Sequence, residues 1–419
     1  MGGLESQRQR KKHIAMYIGS LNKGGAERVM CNLAEYFNSR GYKVTMVTTY
    51  LAEDEYEVEG ANWHREKAKM QGSSETYEEV LNPDDEIRHV YVDNSTDSGI
   101  NRVFSALMPS ERGGRLSNFW RRVRKLRNVW KSIEPDIILS FLGKNNVMAI
   151  YSARGLGIPV VVSVRSNPSR EYASKGLNLS MNMLFPRASG VVVQTTGARD
   201  YFKESIQKKC RILPNSIHPG FMETEVTDFD KRDKRIVSVG RLDDNKNQIL
   251  LIRAFAGIMD KHPDYRLVLY GDGPSRKKYE EEAYNLQRGK DDHKQIVFMG
   301  NQGDIPGKIK DAKIFVLTSK QEGMPNALIE AMSLGLACIS ADCPCGGPAD
   351  LIDDNKNGIL IKMDTDEKMV SELSDALCRV MEDNAFAKEL GENALKVRMS
   401  YSPDKINSQW EEYLTNLMR

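Results

Sequence analysis

The feature that most constrains the fold is an alternation of short β-branched segments with helix-length amphipathic segments, which occurs twice along the chain. In the first half, strands are predicted at 13–19, 43–49, 137–141, 159–165 and 190–195, with a helix at 24–38. In the second half, strands are predicted at 235–241, 266–271, 295–300, 314–318 and 337–341, with helices between them and helices from 366 onward. This pattern predicts an α/β chain with two doubly wound parallel sheets in series.

A polar segment at 226–234, with Pro214 and Pro219 just before it, predicts a linker over 214–234. We therefore expect an N-terminal domain over 12–214 and a C-terminal domain over 235–400. Two such sheets in series predict a cleft between their carboxyl ends, where ligands of this architecture bind.

Charge is distributed unevenly within the first domain. Residues 51–86 carry twelve Asp or Glu against three Lys or Arg, and we interpret them as a surface excursion. Residues 112–131 reverse the sign, with eight Lys or Arg and no acidic residue. Their apolar residues fall near helical spacing, which predicts a basic amphipathic helix that packs on the sheet, faces an anionic membrane, or does both.

Composition excludes several classes of protein. The net charge of +2 argues against a nucleic-acid-binding protein, which is usually strongly basic. No apolar run approaches the ~20 residues that a membrane span needs, and the start of the chain does not resemble a signal peptide. Met1–Ser6 fits the loose myristoylation pattern, although a frayed N-terminus explains the segment equally well. The six cysteines predict reduced thiols, and Cys343-Pro-Cys345 lacks nearby residues at metal-ligand spacing.

The most informative motif is Glu322-Gly-Met-Pro-Asn-Ala-Leu-Ile-Glu330, which follows a predicted strand and opens a predicted helix. Pro325 suits the first helical turn, and Gly323 would let a ligand approach the backbone. The N–H groups of Asn326, Ala327 and Leu328 are then expected to lack intrahelical partners and to form an anion site. Glu330 lies five residues beyond Pro325, about 7 Å along the helix axis. Two carboxylates around a phosphate-sized pocket suit a nucleotide sugar. A surface helix with an acidic start would give the same sequence pattern.

A second motif is Val239-Gly-Arg-Leu-Asp-Asp-Asn-Lys-Asn247, again a strand that ends in a polar turn. Arg241 and Lys246 would stabilise the charge that develops on a departing nucleoside diphosphate, or they are solvated surface cations. Gly24 and Gly25 lie between the first strand and the first helix, where backbone N–H groups can face an anion. That turn is not a dinucleotide fingerprint, and the glycines of Gly271-Asp-Gly-Pro274 also fit simple turn geometry.

These motifs together resemble the glycosyltransferases of family 4, which are retaining enzymes of the GT-B fold. The segments GGAERV, PNS, VGRL…KN, GDGP and EGMPNALIEAM stand in that family's order and spacing over most of 13–400. The resemblance implies two Rossmann-like domains that face each other across a cleft. It also implies that the C-terminal helix, within 401–419, crosses back to the first domain.

The resemblance also implies roles for individual residues. Glu330 would bind the ribose hydroxyls and Glu322 would face the transferred sugar. Arg241 and Lys246 would hold the diphosphate, which Gly24 and Gly25 would approach from the first domain. The donor-contacting backbone would be Gly323, Met324, Pro325 and Asn326, followed by Ala327 and Leu328. The family needs no metal, which agrees with the lack of a convincing Asp-x-Asp pair, so we expect neither metal nor cofactor.

One segment departs from many relatives, which carry a His after the strand that corresponds to 160–164. Here the sequence is Ser163-Val-Arg-Ser-Asn-Pro168, so Arg165 and Asn167 are candidates for the acceptor side, or Arg165 only positions the turn. This segment resembles the branch that extends lipid-linked saccharides in bacterial surface-polysaccharide assembly. We therefore expect a cytoplasmic enzyme that transfers a sugar from a UDP-sugar to a saccharide on a polyprenyl diphosphate at the inner membrane face. A UDP-sugar isomerase or epimerase of the same fold, and a non-catalytic sugar-nucleotide-binding subunit, are the alternatives.

Overall fold

A computed structural model describes residues 10–22, 24–50, 54–61, 99–104, 115–287 and 295–418. The myristoylation pattern at the start of the chain, most of the predicted acidic excursion over 51–86 and the first residues of the basic stretch lie outside the described residues.

The strands are β1 (His13–Ile18), β2 (Lys43–Thr48), β3 (Ile100–Phe104), β4 (Ile137–Phe141), β5 (Val160–Ser163), β6 (Gly190–Val193), β7 (Cys210–Ile212), β8 (Asp233–Val239), β9 (Arg266–Tyr270), β10 (Ile296–Gly300), β11 (Ala312–Leu317), β12 (Ala337–Ala341) and β13 (Ile359–Ile361).

The helices up to the middle of the chain are α1 (Gly25–Ser39), α2 (Arg115–Ile133), α3 (Gly143–Ala153), α4 (Pro168–Glu171), α5 (Lys175–Leu184), α6 (Thr196–Asp200), α7 (Glu204–Gln207) and α8 (Pro219–Glu223). Those that follow are α9 (Ile249–Ile258), α10 (Arg276–Leu286), α11 (Ile305–Ile309), α12 (Asn326–Ser333), α13 (Gly347–Leu351), α14 (Asp366–Glu382), α15 (Asn384–Ala394), α16 (Val397–Ser400) and α17 (Pro403–Leu417). Short 3-10 helices span Phe185–Arg187 and Phe229–Lys231.

The chain divides into two compact units. The first contains Met1–Val193, Phe202–Arg211 and Asn407–Arg419, and the second contains Gln194–Tyr201 and Ile212–Ile406. Most of α17 therefore groups with the first unit. Residues 194–201 lie within the predicted first domain but group with the second unit.

In the first unit, the described residues form one sheet of seven strands in the order β3-β2-β1-β4-β5-β6-β7. The pairs from β3 to β6 run parallel, and every residue of β1 and β4 is buried. Such continuous apolar runs are typical of parallel strands that are covered on both faces. Helix α17 packs on this unit: Trp410 lies 6.1 Å from the ring of Phe141, and Glu411 accepts a hydrogen bond of 2.7 Å from the Tyr36 hydroxyl.

In the second unit, the described residues form a sheet of six strands in the order β10-β9-β8-β11-β12-β13, with all neighbours parallel. Helices α9, α10, α14 and α15 contribute to an apolar core on one face, and α12 contributes to the core on the other. This is the doubly wound α/β architecture that the sequence predicts, and it is present twice. Strands β8 and β11 are neighbours, so the loops that follow them reach the same edge of the sheet.

Candidate functional site

The loop between β8 and α9 is tied to the loop between β11 and α12 by backbone and side-chain hydrogen bonds. The Lys320 N–H donates to the Asn245 carbonyl at 2.7 Å, and the Asn245 amide donates to the Gln321 carbonyl at 3.1 Å. The Thr318 hydroxyl donates to the Lys246 carbonyl at 3.0 Å. The two motifs that the sequence singles out in this half therefore lie side by side.

An ion pair joins two of the predicted catalytic residues. Lys246 Nζ lies 2.6 Å from Glu322 Oε1, and their side chains are 25% and 12% exposed. Partial burial strengthens the attraction between these charges, because less water screens it. The pair holds a cation and a carboxylate at the carboxyl edge of the sheet, next to the start of α12.

The β8–α9 loop is shaped by Asp243, whose Oδ1 accepts from the N–H groups of Asn245 and Lys246 at 3.0 and 2.9 Å. This Asx turn directs the Lys246 side chain toward Glu322. Arg241 behaves differently: its side chain is 70% exposed, and its Nε lies 3.7 Å from Asp243 Oδ2. The structure thus gives one predicted cation a short, partly buried ion pair and leaves the other largely in solvent.

Helix α12 begins one residue later than the sequence predicts, with Pro325 as its N-cap residue and Asn326 as its first residue. The Leu328 N–H donates to the Pro325 carbonyl at 3.1 Å, so the expectation that it lacks an intrahelical partner is wrong. A tight first turn of the 3-10 type explains this bond. The N–H groups of Asn326 and Ala327 remain the candidates for an anion at this helix end.

The side chain of Asn326 is held by Asn215, a residue that the predicted site does not include. Asn215 Nδ2 donates to Asn326 Oδ1 at 2.6 Å, and Gln194 Nε2 donates to Asn215 Oδ1 at 2.9 Å. The Asn215 N–H also lies 3.1 Å from Met324 Sδ. The only sequence signal for this contact is the PNS segment, which lies more than a hundred residues from Asn326.

Glycine at position 347 allows the loop between β12 and α13 to approach the Glu322–Pro325 segment. A Cβ on Gly347 would lie 1.8 Å from the Gly323 carbonyl oxygen, so no larger residue fits at Gly347 without a shift. This loop begins at Cys343, where burial first and the negative charge of Glu322 second raise the pKa of the thiol to about 12. The thiol is therefore protonated at neutral pH and is not a nucleophile.

Glu330 is buried, with 7% exposure, on α12. It lies one turn beyond Asn326, so the two side chains share a face of the helix. In the neighbouring β9–α10 turn, Cβ atoms on Gly271 and Gly273 would lie 2.1 and 2.3 Å from the carbonyl oxygens of Gly240 and Leu242. These glycines therefore allow the β9–α10 turn to pack against the loop that carries Lys246, in addition to allowing the turn itself.

In the first unit, Gly24 is the N-cap residue of α1 and Gly25 is its first residue, so the helix begins one residue later than predicted. The Gly24 N–H donates to the Asn22 carbonyl at 2.7 Å. The Glu27 carboxylate folds back over this turn: a Cβ on Gly24 would lie 2.3 Å from Glu27 Oε2. An anion that approached the turn would have to displace this carboxylate.

Arg165 is buried after β5, and its guanidinium lies 5.1 Å from the centre of the Phe141 ring. Burial lowers the pKa of Arg165 to about 9, and the Glu171 carboxylate opposes this shift. Burial raises the pKa of Glu171 to about 7, although the Ser166 hydroxyl donates to it at 2.8 Å. Asn167 caps α4 by accepting from the Ser169 N–H at 3.0 Å. Asn167 therefore has a local capping role, next to the buried Arg165 and the half-buried Glu171.

The predicted basic helix is α2, which spans Arg115–Ile133. Its residues Val123, Leu126 and Trp130 are buried, whereas its arginines at 121, 122 and 124 are exposed. Trp120 is 54% exposed and stacks edge-on with Tyr151. Among the described residues, no helix combines the length and apolar character that crossing a bilayer requires.

Comparison with protein families gives two matches in series. Residues 23–221 match the sequence model described as Glycosyltransferase Family 4, and residues 222–397 match the one described as Glycosyl transferases group 1.

Individual proteins are similar over most of the chain. A Campylobacter jejuni enzyme is 25% identical over 95% of this chain and 96% of its own. It is named GalNAc-alpha-(1->4)-GalNAc-alpha-(1->3)-diNAcBac-PP-undecaprenol alpha-1,4-N-acetyl-D-galactosaminyltransferase. The Escherichia coli UDP-Gal:alpha-D-GlcNAc-diphosphoundecaprenol alpha-1,3-galactosyltransferase is 26% identical over 62% of this chain and 70% of its own. Among solved structures, HepE of Anabaena in complex with UDP aligns with a TM-score of 0.71 at 19% identity, over 97% of this chain and 100% of that one. That structure shows a shared fold.

Proposed function

Because this chain belongs to the family 4 glycosyltransferases, we propose that it transfers a sugar from a UDP-sugar to a saccharide carried on a polyprenyl diphosphate, with retention of anomeric configuration. The names of the Campylobacter and Escherichia relatives support this choice, since both describe acceptors on diphosphoundecaprenol and one describes a UDP-galactose donor. The observation that carries the donor assignment is the Lys246–Glu322 ion pair beside the start of α12.

The donor diphosphate would lie against the first turn of α12, where the N–H groups of Asn326 and Ala327 and the positive end of the helix favour an anion. Lys246 would contact the same phosphates, and the exposed Arg241 would close over them. Glu330 would accept from the ribose hydroxyls, since ionised carboxylates form strong hydrogen bonds with such donors. Glu322 would face the transferred sugar.

Departure of the nucleoside diphosphate creates negative charge in the transition state. Fixed N–H dipoles and cations stabilise that charge without reorganising, which is the contribution that a metal makes in other transferases. We therefore propose that transfer needs no metal or cofactor. Gly24 and Gly25 would contact the diphosphate, which would displace Glu27 from their turn. Arg165 and Asn167 would lie on the acceptor side.

The acceptor lipid would bring the enzyme to the inner face of the membrane. The exposed arginines of α2 and the exposed Trp120 are the combination that favours an anionic interface, because cations attract the headgroups and indole prefers the boundary with water. We place the enzyme in the cytoplasm, with α2 as its peripheral contact.

The rival assignments explain less of the site. An isomerase or epimerase that acts on the UDP-sugar needs no second substrate, whereas the relatives above are named for transfer to lipid-linked acceptors. A non-catalytic binding subunit would not need the Lys246–Glu322 pair at the expected position of the transferred sugar.

The test begins with thermal-shift measurements of the full chain with UDP-, GDP- and ADP-sugars, because a ligand that binds only the folded state raises its apparent stability. We expect a shift with one or more UDP-sugars. The stabilising donor is then incubated with synthetic polyprenyl-diphosphate saccharides, with EDTA present, and the product linkage is assigned by NMR. Stabilisation by GDP- or ADP-sugars alone would contradict the UDP assignment, and donor turnover without an acceptor product would contradict transfer.

A further inference from the structure

Three side chains with metal-binding atoms converge on the second unit, away from both motifs that are assigned to the donor. His262 lies in the turn after α9, and Cys378 and Glu382 lie in the last turns of α14. The four-residue spacing of Cys378 and Glu382 places them on the same face of the helix. Within the described parts of the chain, this is the group of three His, Cys, Asp or Glu residues whose ligand atoms all lie within 4.8 Å of one another.

The distances between these atoms are close to the edges of a metal-centred tetrahedron. Cys378 Sγ lies 3.9 Å from His262 Nε2, and His262 Nε2 lies 3.4 Å from Glu382 Oε1. Around zinc, with bonds of about 2.3 Å to sulfur and about 2.0–2.1 Å to nitrogen and oxygen, these edges would be about 3.6 and 3.3 Å. These two distances therefore need to contract by only a few tenths of an ångström, and the Cys378–Glu382 distance is within 4.8 Å.

The histidine is already oriented for this role by its own turn. The His262 N–H donates to the Met259 carbonyl at 3.1 Å, and its carbonyl accepts from Gln295 Nε2 at 3.2 Å. Its ring packs edge-on against Tyr265, with the ring centres 6.2 Å apart. The ring is only 12% exposed, whereas Glu382 is 63% exposed, so one side of the cluster is open to water.

We infer that His262, Cys378 and Glu382 bind one zinc ion, with a water molecule as the fourth ligand, and thereby fasten the end of α14 to the turn after α9. Borderline-soft zinc suits this mixed nitrogen, sulfur and oxygen set, whereas calcium and magnesium prefer oxygen alone. Binding displaces the proton of the Cys378 thiol to solvent, so that the thiolate, the neutral imidazole and the carboxylate are the ligands.

The zinc ion would not take part in sugar transfer. In a parallel α/β sheet, helices run back from the carboxyl edge to the amino edge, so the ends of α9 and α14 lie opposite the loops of Lys246 and Glu322. The ion would instead join residues 116 positions apart in the sequence, and its effect would be on stability.

The experiment titrates Co²⁺ into the reduced, chelator-treated full chain and follows the near-ultraviolet sulfur-to-cobalt charge-transfer band. We expect one equivalent to bind, the band to appear, and stoichiometric Zn²⁺ to abolish it. A zinc competition titration gives the affinity, and one equivalent of Zn²⁺ should raise the melting temperature.

Cys378→Ser should abolish the band, and His262→Gln should weaken zinc binding at least tenfold. Cys210→Ser is the matched control, since this partly buried thiol lies on β7 in the first unit and its loss should change neither readout. Glu382→Gln changes a mostly exposed side chain, so it should fold normally and still lower zinc affinity. Absence of the band in the parent protein, its persistence in Cys378→Ser, or unchanged zinc affinity in a folded Glu382→Gln variant would each overturn the assignment.

Discussion

Substitutions of the two members of the Lys246–Glu322 pair should have opposite effects on UDP affinity. The pair is closed at 2.6 Å, so a diphosphate that uses Lys246 has to share or displace the Glu322 carboxylate. Glu322→Gln removes the competing charge and keeps the shape, and it should bind UDP more tightly. Lys246→Met removes the cation and should bind UDP more weakly.

The size of the effect follows from the geometry. Two anions that contact one ammonium group through hydrogen bonds of about 2.8 Å lie about 4–5 Å apart. At that separation, unit charges repel by about 1 kcal/mol in water and by about 3–4 kcal/mol at the effective dielectric near 20 of a protein surface. Because Lys246 is one-quarter exposed and its ammonium group offsets part of the repulsion, we take about 1–2 kcal/mol for the net repulsion between Glu322 and the diphosphate. UDP should therefore bind Glu322→Gln about 5- to 30-fold more tightly than the parent protein.

Isothermal titration of UDP into the parent, both single variants and the double variant measures these affinities. We expect Lys246→Met to lose at least about tenfold in affinity, and the double variant to bind UDP more tightly than Lys246→Met, since the Glu322 carboxylate still repels the diphosphate when the cation is gone. Glu322→Gln should also turn over more slowly, because it loses the carboxylate that we propose faces the sugar. Circular dichroism and melting curves control for folding. A Glu322→Gln protein that folds normally and binds UDP no more tightly than the parent would refute the placement of the diphosphate on Lys246.

Further substitutions test other parts of the site. Glu330→Ala should weaken UDP-sugar binding by about 1–3 kcal/mol, measured by calorimetry, and unchanged affinity would remove the ribose assignment. Arg241→Ala should lower kcat more than it raises the donor Kd in steady-state assays, since equal losses would mean uniform binding and no help to the leaving group. Gly347→Ala should lower the melting temperature and the UDP affinity together, because its Cβ would lie 1.8 Å from the Gly323 carbonyl oxygen, and a neutral result would contradict that packing. Burial raises the pKa of Glu171 to about 7, so the folded state binds more protons than the unfolded one and stability falls as pH rises from about 4.5 to 7. In denaturant titrations, the free energy of unfolding of Glu171→Gln should rise by about 1–3 kcal/mol relative to that of the parent as the pH increases across that window. A difference between the two proteins that does not change with pH would refute the raised pKa of Glu171.

The repeated alternation of strands and helices was predictable because apolar periodicity is a local property of the chain. Strands β1, β4 and β12 lie within one residue of their predicted positions, since their apolar runs are continuous and bounded by turn residues. Strands β3 and β13 were not predicted. Ile100–Phe104 contains Asn and Arg, and Ile359–Ile361 has three residues, so neither carries a pattern that separates it from a loop. Their strand character depends on pairing with β2 and β12.

The motifs of the candidate site stand out in the sequence, but the contacts between them do not. The Glu322–Glu330 segment stands out in the sequence alone, because a strand end, a proline and a helix start follow one another directly there. The PNS segment is the only sequence signal for the contact between Asn215 and Asn326, and no sequence signal indicates that Gly347 packs against Gly323, because these contacts join residues that are distant along the chain. The misjudged Leu328 N–H has a local cause: the first turn of α12 is tighter than an ideal α-helix, and sequence patterns do not resolve helix ends to one residue.

The loops at the carboxyl edge of the second sheet are fixed by hydrogen bonds to one another. Asn245 bonds to the backbone of Lys320 and Gln321, Lys246 bonds to Glu322, and Asn215 bonds to Asn326. A donor that binds here pays little ordering entropy, so its binding energy can be used to hold the diphosphate where charge will develop. The zinc cluster would restrain the ends of α9 and α14 at the opposite edge, where it cannot alter these contacts. Loss of zinc should therefore lower the melting temperature and leave kcat unchanged, and a parallel loss of both would mean that the two edges of the sheet are coupled.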